Sequence, residues 1–217
     1  MSARVTRRVR ELEVPGGMAR VHLHRPTRAL GSVVLGHGAG GGVDAPDLAA
    51  LAAALPQDGW AVALVEQPWR VAGRRVAGPP ASLDAAWVPV LAALTSGRGA
   101  LPAPLVVGGR SAGARVACRT AEQVGAHAVL ALSFPLHPPR QPEKSRAAEL
   151  QAPIDAGLLV HVVQGERDPF GGPDEIAAAV PDAAYLDAAA GAHGFTPDPQ
   201  DVVEAVRLFL AELTWAG

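Results

Sequence analysis

The chain has 217 residues, enough for one folded domain with a substantial core. Hydrophobic residues make up 49% and charged residues 18%, which excludes a disordered chain, and the net charge of −2 leaves no electrostatic footprint for nucleic acid. Cys118 is the only cysteine, which rules out an intrachain disulfide and argues against a cysteine-based zinc site.

No window reaches the roughly 18 uninterrupted apolar residues of a membrane span. No apolar stretch follows the N-terminal arginines, so no signal peptide is expected and a cytoplasmic protein is. Lys144 is the only lysine; with the many Ala, Gly and Pro, this reflects composition bias, not function.

Residues 8–14 and 20–25 read as two strands of a hairpin around Pro15-Gly16-Gly17. The arginines from Arg4 to Arg10 fit a solvated edge strand that discourages edge pairing. Ser32 to Leu35 is a short apolar run, as in a buried parallel strand, and ends at Gly36-His37-Gly38-Ala39-Gly40-Gly41-Gly42. Asp44 or Asp47 then offers a helix N-cap, ahead of a stripe of Leu48, Leu51 and Leu55. Residues 61–65 are the next strand, and Gln67 to Pro80 is a loop rich in Arg, Gly and Pro. A helix spans Ser82 to Leu94, with Pro89 kinking it or marking its first turn.

Leu105 to Gly108 is a strand, Ala112 to Val124 a helix and Ala128 to Phe134 another strand. Residues 135–157 are Pro-rich and charged, with a short helix at Lys144–Leu150 and room for a small lid but not a cap domain. A strand from Leu158 to Gln164 ends at Gly165-Glu166-Arg167-Asp168. A helix at Pro173–Val180, a strand at Ala184–Leu186, a loop at Gly191–Phe195 and a helix at Asp201–Leu213 complete the chain. Strands alternating with helices imply an α/β fold, with a mostly parallel central sheet covered on both faces. No linker separates two domains, so residues 1–217 are expected to form one.

Gly109-x-Ser111-x-Gly113 matches the G-x-S-x-G pattern, in which a serine sits on a tight strand-to-helix turn with its hydroxyl exposed. Small residues are needed on both sides because strand and helix backbones approach closely there. Sites in open α/β sheets lie beyond the carboxyl ends of the strands, where His37–Gly40, Ser111, Asp168 and His193 all fall. The order Ser, Asp, His is that of α/β-hydrolase triads. Ser111 is the candidate nucleophile, which needs an adjacent base. His193, after the last strand, is the candidate base, with His137 as rival. Asp168 is the candidate acid, with Glu166 as fallback, and would hold the imidazole tautomer. Arg70, Arg74 and Arg75 stand in the 67–80 loop as candidates for gripping a carboxylate or simply solvated, and His37, Arg74, Arg75 and His137 are the candidate substrate-binding residues. Cys118 is expected to be a buried structural thiol.

The chain resembles the α/β-hydrolases over essentially its whole length. More narrowly, it is similar to the small, cap-poor dienelactone-hydrolase-like group, one branch of which includes the hydrolase-like region of a subunit of a chromatin acetyltransferase complex. The stretches that carry the narrower resemblance are Gly109 to Ala117, Leu132 to Pro139, Gln164 to Gly171 and Gly191 to Phe195. The resemblance implies a minimal cap and an oxyanion hole made by the amides of Ala112 and of Ala39 or Gly40, with His37 shaping that loop. The reaction expected is hydrolysis of a small ester or thioester through an acyl-enzyme, with no metal or cofactor, and a small-molecule acyl substrate as partner. Acyl transfer by the same residues and a non-catalytic interaction module are the alternatives.

Overall fold

The structure is a computed structural model that describes residues 4–181, 185–196 and 198–215. Eight strands form one sheet: β1 (Val5–Val14), β2 (Gly17–Pro26), β3 (Gly31–Gly36), β4 (Trp60–Glu66), β5 (Leu105–Arg110), β6 (Ala128–Leu132), β7 (Leu159–Gly165) and β8 (Tyr185–Ala189). Their order across the sheet is β1-β2-β4-β3-β5-β6-β7-β8. β1 and β2 form an antiparallel hairpin and β2 is antiparallel to β4; every pairing from β4 through β8 is parallel. The inner strands β3, β5 and β6 are apolar runs buried almost throughout, because helices cover both of their faces.

On one face lie α1 (Pro46–Ala54) and α7 (Gln200–Trp215), which bury Leu48, Leu51, Val202, Val206 and Phe209 against Val33, Leu35 and Val106. On the other lie α3 (Pro80–Thr95), α4 (Ala112–Thr120), α5 (Ala147–Asp155) and α6 (Pro173–Ala179), with Trp87, Leu91, Val116, Leu150 and Ile176 packed on Val34, Val107 and Val129. A single turn of helix, α2 (Pro68–Val71), follows β4 inside the stretch expected to be all loop. Between β6 and β7 the chain contributes only α5, so no cap domain covers the sheet's carboxyl end.

Several boundaries differ from the sequence reading. β1 begins at Val5, because hydrogen bonding to β2 continues through the charged residues to Val5↔Pro26. It is the edge strand, and its arginines are solvated. Neither Asp44 nor Asp47 caps α1: the N-cap is Ala45, Pro46 follows it, and Asp47 is drawn into the first turn and fully buried. Pro89 lies inside α3. α4 stops at Thr120, where the chain turns so that the Ala126 amide reaches the Ala121 carbonyl (3.0 Å). The helix expected at 144–150 is shifted to Ala147–Asp155, because the Arg146 amide is taken by Leu136 O (2.7 Å). The last strand runs from Tyr185 to Ala189; Ala184, where it was expected to start, lies outside the described residues.

Candidate functional site

Ser111 joins β5 to α4 with φ 54° and ψ −111°, a left-handed conformation uncommon for a side chain. The turn is tight because α4 begins against the end of β3. A Cβ on Gly109 would meet Gly36 O at 2.5 Å, and one on Gly113 would meet the Gly36 carbonyl carbon and oxygen at 2.5 Å. The Ser111 amide is anchored on Leu132 O of β6 (2.9 Å). Its side chain makes no capping bond to α4. Instead the hydroxyl donates to His193 Nε2 (2.8 Å).

His193 sits in the loop after β8. Its Nδ1–H donates to Asp168 Oδ2 (2.8 Å), which assigns the tautomer. The ring also lies against Phe170, with centroids 4.2 Å apart. The Asp168 side chain has no solvent exposure and gathers donors. The Phe170 amide reaches Oδ1 (2.9 Å), and Gln164 Nε2 joins the imidazole at Oδ2 (3.0 Å). A buried carboxylate needs such a set. Gln164, at the end of β7, also bonds Phe134 and Gly171, which makes it the brace of the acid loop.

Gly38 borders Ser111 closely enough that its missing Cβ would lie 3.5 Å from the serine Cβ. The amides of Ala39, Gly40 and Ala112 donate to no backbone acceptor among the described residues. For Ala112 this follows from its place as the first residue of α4. His37 is buried behind this loop: Nδ1–H donates to Gly38 O (2.9 Å) and Nε2 accepts the Gln67 amide (3.1 Å). Burial pushes its pKa below the ordinary histidine value, so the ring is a neutral strut between the loop and the end of β4. With Trp69, Trp87 and Leu83 it lines a narrow slot beside Ala112.

The remaining candidates lie apart from this chain of bonds. His137 is tied to Pro138 O (2.9 Å) and Glu175 Oε2 (3.0 Å), and these bonds raise its pKa. It backs the acid loop, with its amide on Phe170 O, and does not reach Ser111. Glu166 is exposed. Arg74 and Arg75 are exposed, and their guanidinium groups bond no described residue. Cys118 is buried on α4, and burial pushes its thiol up to about 12, far from a nucleophile's range. Among the described residues no three His, Cys, Asp or Glu side chains are gathered as metal ligands would be.

Two residues that the sequence did not mark as site candidates touch this region. Arg110, just before the serine, donates from Nη2 to the His193 carbonyl (3.1 Å), and Asp47 lies beside its Nε (3.6 Å). No local pattern marks either for this place, since the contacts join distant parts of the chain. A hydroxyl, an imidazole and a buried carboxylate in series can lower the cost of deprotonating the hydroxyl as it attacks an electrophile.

A family model described as an alpha/beta hydrolase domain matches residues 29–207. No curated protein sequence matches the chain significantly. Among solved structures, an alpha-beta serine hydrolase homologue from Coxiella burnetii superposes with a TM-score of 0.73 at 16% identity, covering 95% of this chain and 97% of that one. An α/β serine hydrolase without lid from Xanthomonas campestris gives 0.67 at 18% identity, with 94% of each chain covered. Est1E from Butyrivibrio proteoclasticus gives 0.74 at 14% identity, covering 96% and 99%. At these identities the likeness is one of fold.

Proposed function

The chain belongs to the alpha/beta hydrolase family, and on that premise we propose that it is a serine hydrolase acting on small esters or thioesters. The observation that carries the reading is the unbroken series Ser111 Oγ–His193 Nε2, His193 Nδ1–Asp168 Oδ2, at 2.8 Å for each bond. In the proposed reaction Ser111 Oγ attacks the carbonyl carbon while His193 Nε2 takes its proton. Asp168 keeps the imidazole in the Nδ1–H tautomer and stabilises the imidazolium. The amides of Ala112 and of Ala39 or Gly40 receive the oxyanion, each worth about 3–4 kcal/mol in the transition state. Protonated His193 then gives its proton to the leaving alcohol or thiol. Water, deprotonated by the same nitrogen, frees the acid from the acyl-enzyme.

The absence of a cap between β6 and β7 supports a small or surface-presented acyl substrate. Arg74 and Arg75 are too solvated to serve as its carboxylate clamp in this conformation. Within the family we place the chain in the small, cap-poor dienelactone-hydrolase-like group, as a single domain acting in the cytoplasm on a small molecule and not on nucleic acid or a membrane. The β6–β7 connection, which carries only α5, favours the cap-poor placement.

Labelling with a fluorophosphonate probe tests the assignment. Wild type is expected to label and Ser111→Ala not to; equal labelling of both would overturn it. A panel of esters graded by acyl length, with and without added alcohol or amine nucleophiles, then separates hydrolysis from transfer.

A further inference from the structure

The Asp47 side chain is completely buried and has no side-chain hydrogen-bond partner among the described residues; only the Asp47 and Leu48 amides of its own turn help to hold its charge. Among the described residues its ion-pair partner is Arg110, with Nε 3.6 Å from Oδ2. Burial raises the Asp47 pKa, and the Arg110 charge is the main influence opposing the rise. Arg110 is itself only 18% exposed. Its Nη2 bonds the His193 carbonyl at 3.1 Å and stands 2.9 Å from where a Cβ on Gly194 would be. The guanidinium therefore touches three separate parts of the site. It stands on the residue before Ser111, it holds the loop that carries His193, and it leans on α1, which follows the Gly38–Gly42 loop.

A buried ion pair is a poor way to stabilise a fold. Replacing one by apolar side chains of similar volume is often neutral or stabilising, because both charges lose their hydration. Here the pair is also imperfect, with its closest approach beyond hydrogen-bond length. What an apolar pair would not supply is a fixed donor to the His193 carbonyl. We propose that Arg110 and Asp47 are positioning residues for His193: Arg110 fixes the backbone of the base loop through the His193 carbonyl, and Asp47 holds Arg110 in place.

The inference rests on the serine-hydrolase reading for its effect on turnover, but not for its effect on the imidazole. The decisive variant is the double substitution Asp47→Leu with Arg110→Met, which leaves no orphaned buried charge; Arg110→Met alone strands the Asp47 carboxylate and invites unfolding. Two readouts are taken on the full chain after its thermal midpoint is checked. The first is the imidazole 15N shifts of His193, which report its tautomer; His137 and His161 serve as internal references. The second is the rate of fluorophosphonate labelling of Ser111. In wild type the shifts are expected to show the Nδ1–H tautomer alone. In the double variant the midpoint holds or rises, His193 shows mixed tautomers, and labelling slows by about 10²-fold, as expected for a misplaced group. Arg110→Lys, which keeps the charge and one donor, restores part of the rate. A double variant with an unchanged tautomer and labelling rate overturns the proposal. A wild-type protein that does not label overturns the hydrolase reading instead, and the tautomer result still decides whether Arg110 and Asp47 position His193.

Discussion

Two imidazole–carboxylate pairs, one in the loops beyond β7 and β8 and one on those strands, have the same separation. His193 meets Asp168 at 2.8 Å, and His161 of β7 meets Asp187 of β8 at 2.8 Å. Their burial is inverted. In the first pair the carboxylate is 0% exposed and the imidazole 22%; in the second the imidazole is 1% exposed and the carboxylate 55%. In the first, the buried carboxylate is surrounded by donors and the imidazole offers its far nitrogen to a hydroxyl. In the second, the imidazole is packed on Phe209 with ring centroids 4.8 Å apart, burial lowers its pKa, and its far nitrogen has no partner among the described residues. The same two groups at the same distance thus suit different roles, the first pair the proposed proton relay and the second packing, according to which of them the fold hides.

The largest test of that contrast puts one substitution into both pairs. Asp168→Asn is expected to lower kcat by about 10⁴, because the amide favours the wrong tautomer. Asp187→Asn is expected to leave kcat within about twofold, a barrier change of under half a kcal/mol. Similar losses in both would break the contrast. Next in size is Gly113→Ala, which disturbs only the Ser111 side. Its Cβ is forced onto the Gly36 backbone, so a stability loss of about 1–3 kcal/mol is expected from overpacking. Activity should fall with it, and denaturant midpoints with ester turnover measure the two.

The smallest effect belongs to His161→Leu. The folded pKa of His161 is depressed, so the unfolded chain binds the proton first as pH falls. Stability is then complete above the unfolded value, about 6.5, and is lost as pH drops toward the lower folded value. The variant should flatten part of that decline between pH 7.5 and 5, leaving the share due to His24 and His37, whose values burial also lowers. Activity should stay within about twofold. An unchanged slope in denaturant midpoints would show that the His161 environment is not what sets it.

Sheet class and strand identity were legible because buried parallel strands are short apolar runs, and Ser32–Leu35, bounded by Gly31 and Gly36, and Ala128–Leu132 are of that kind. β1 was read too short because both its faces are largely exposed, which erases the alternation that marks a strand. Gly109-x-Ser111-x-Gly113 was legible because its constraint is local: the flanking residues must clear Gly36. Ser111, His193 and Asp168, named from spacing and chain order, are bonded in series. Asp47 was misread because a short acidic residue before an apolar stripe has the pattern of an N-cap. Pro46 instead takes the first helical position, and the partner that draws Asp47 inward lies on β5. Gln164 looked like the polar end of a strand, and nothing near it in sequence marks it as the brace of the Asp168 loop.

The backbone at Ser111 has one more consequence. A residue with a side chain held at positive φ stores about 1–3 kcal/mol relative to a relaxed conformation. Ser111→Gly would release that strain and remove the hydroxyl in one step. The expected protein is more resistant to denaturant than wild type and inert toward the fluorophosphonate probe. On the proposed reaction, the backbone setting that presents the Ser111 hydroxyl is also one that costs stability, so durability and turnover would be traded at this residue.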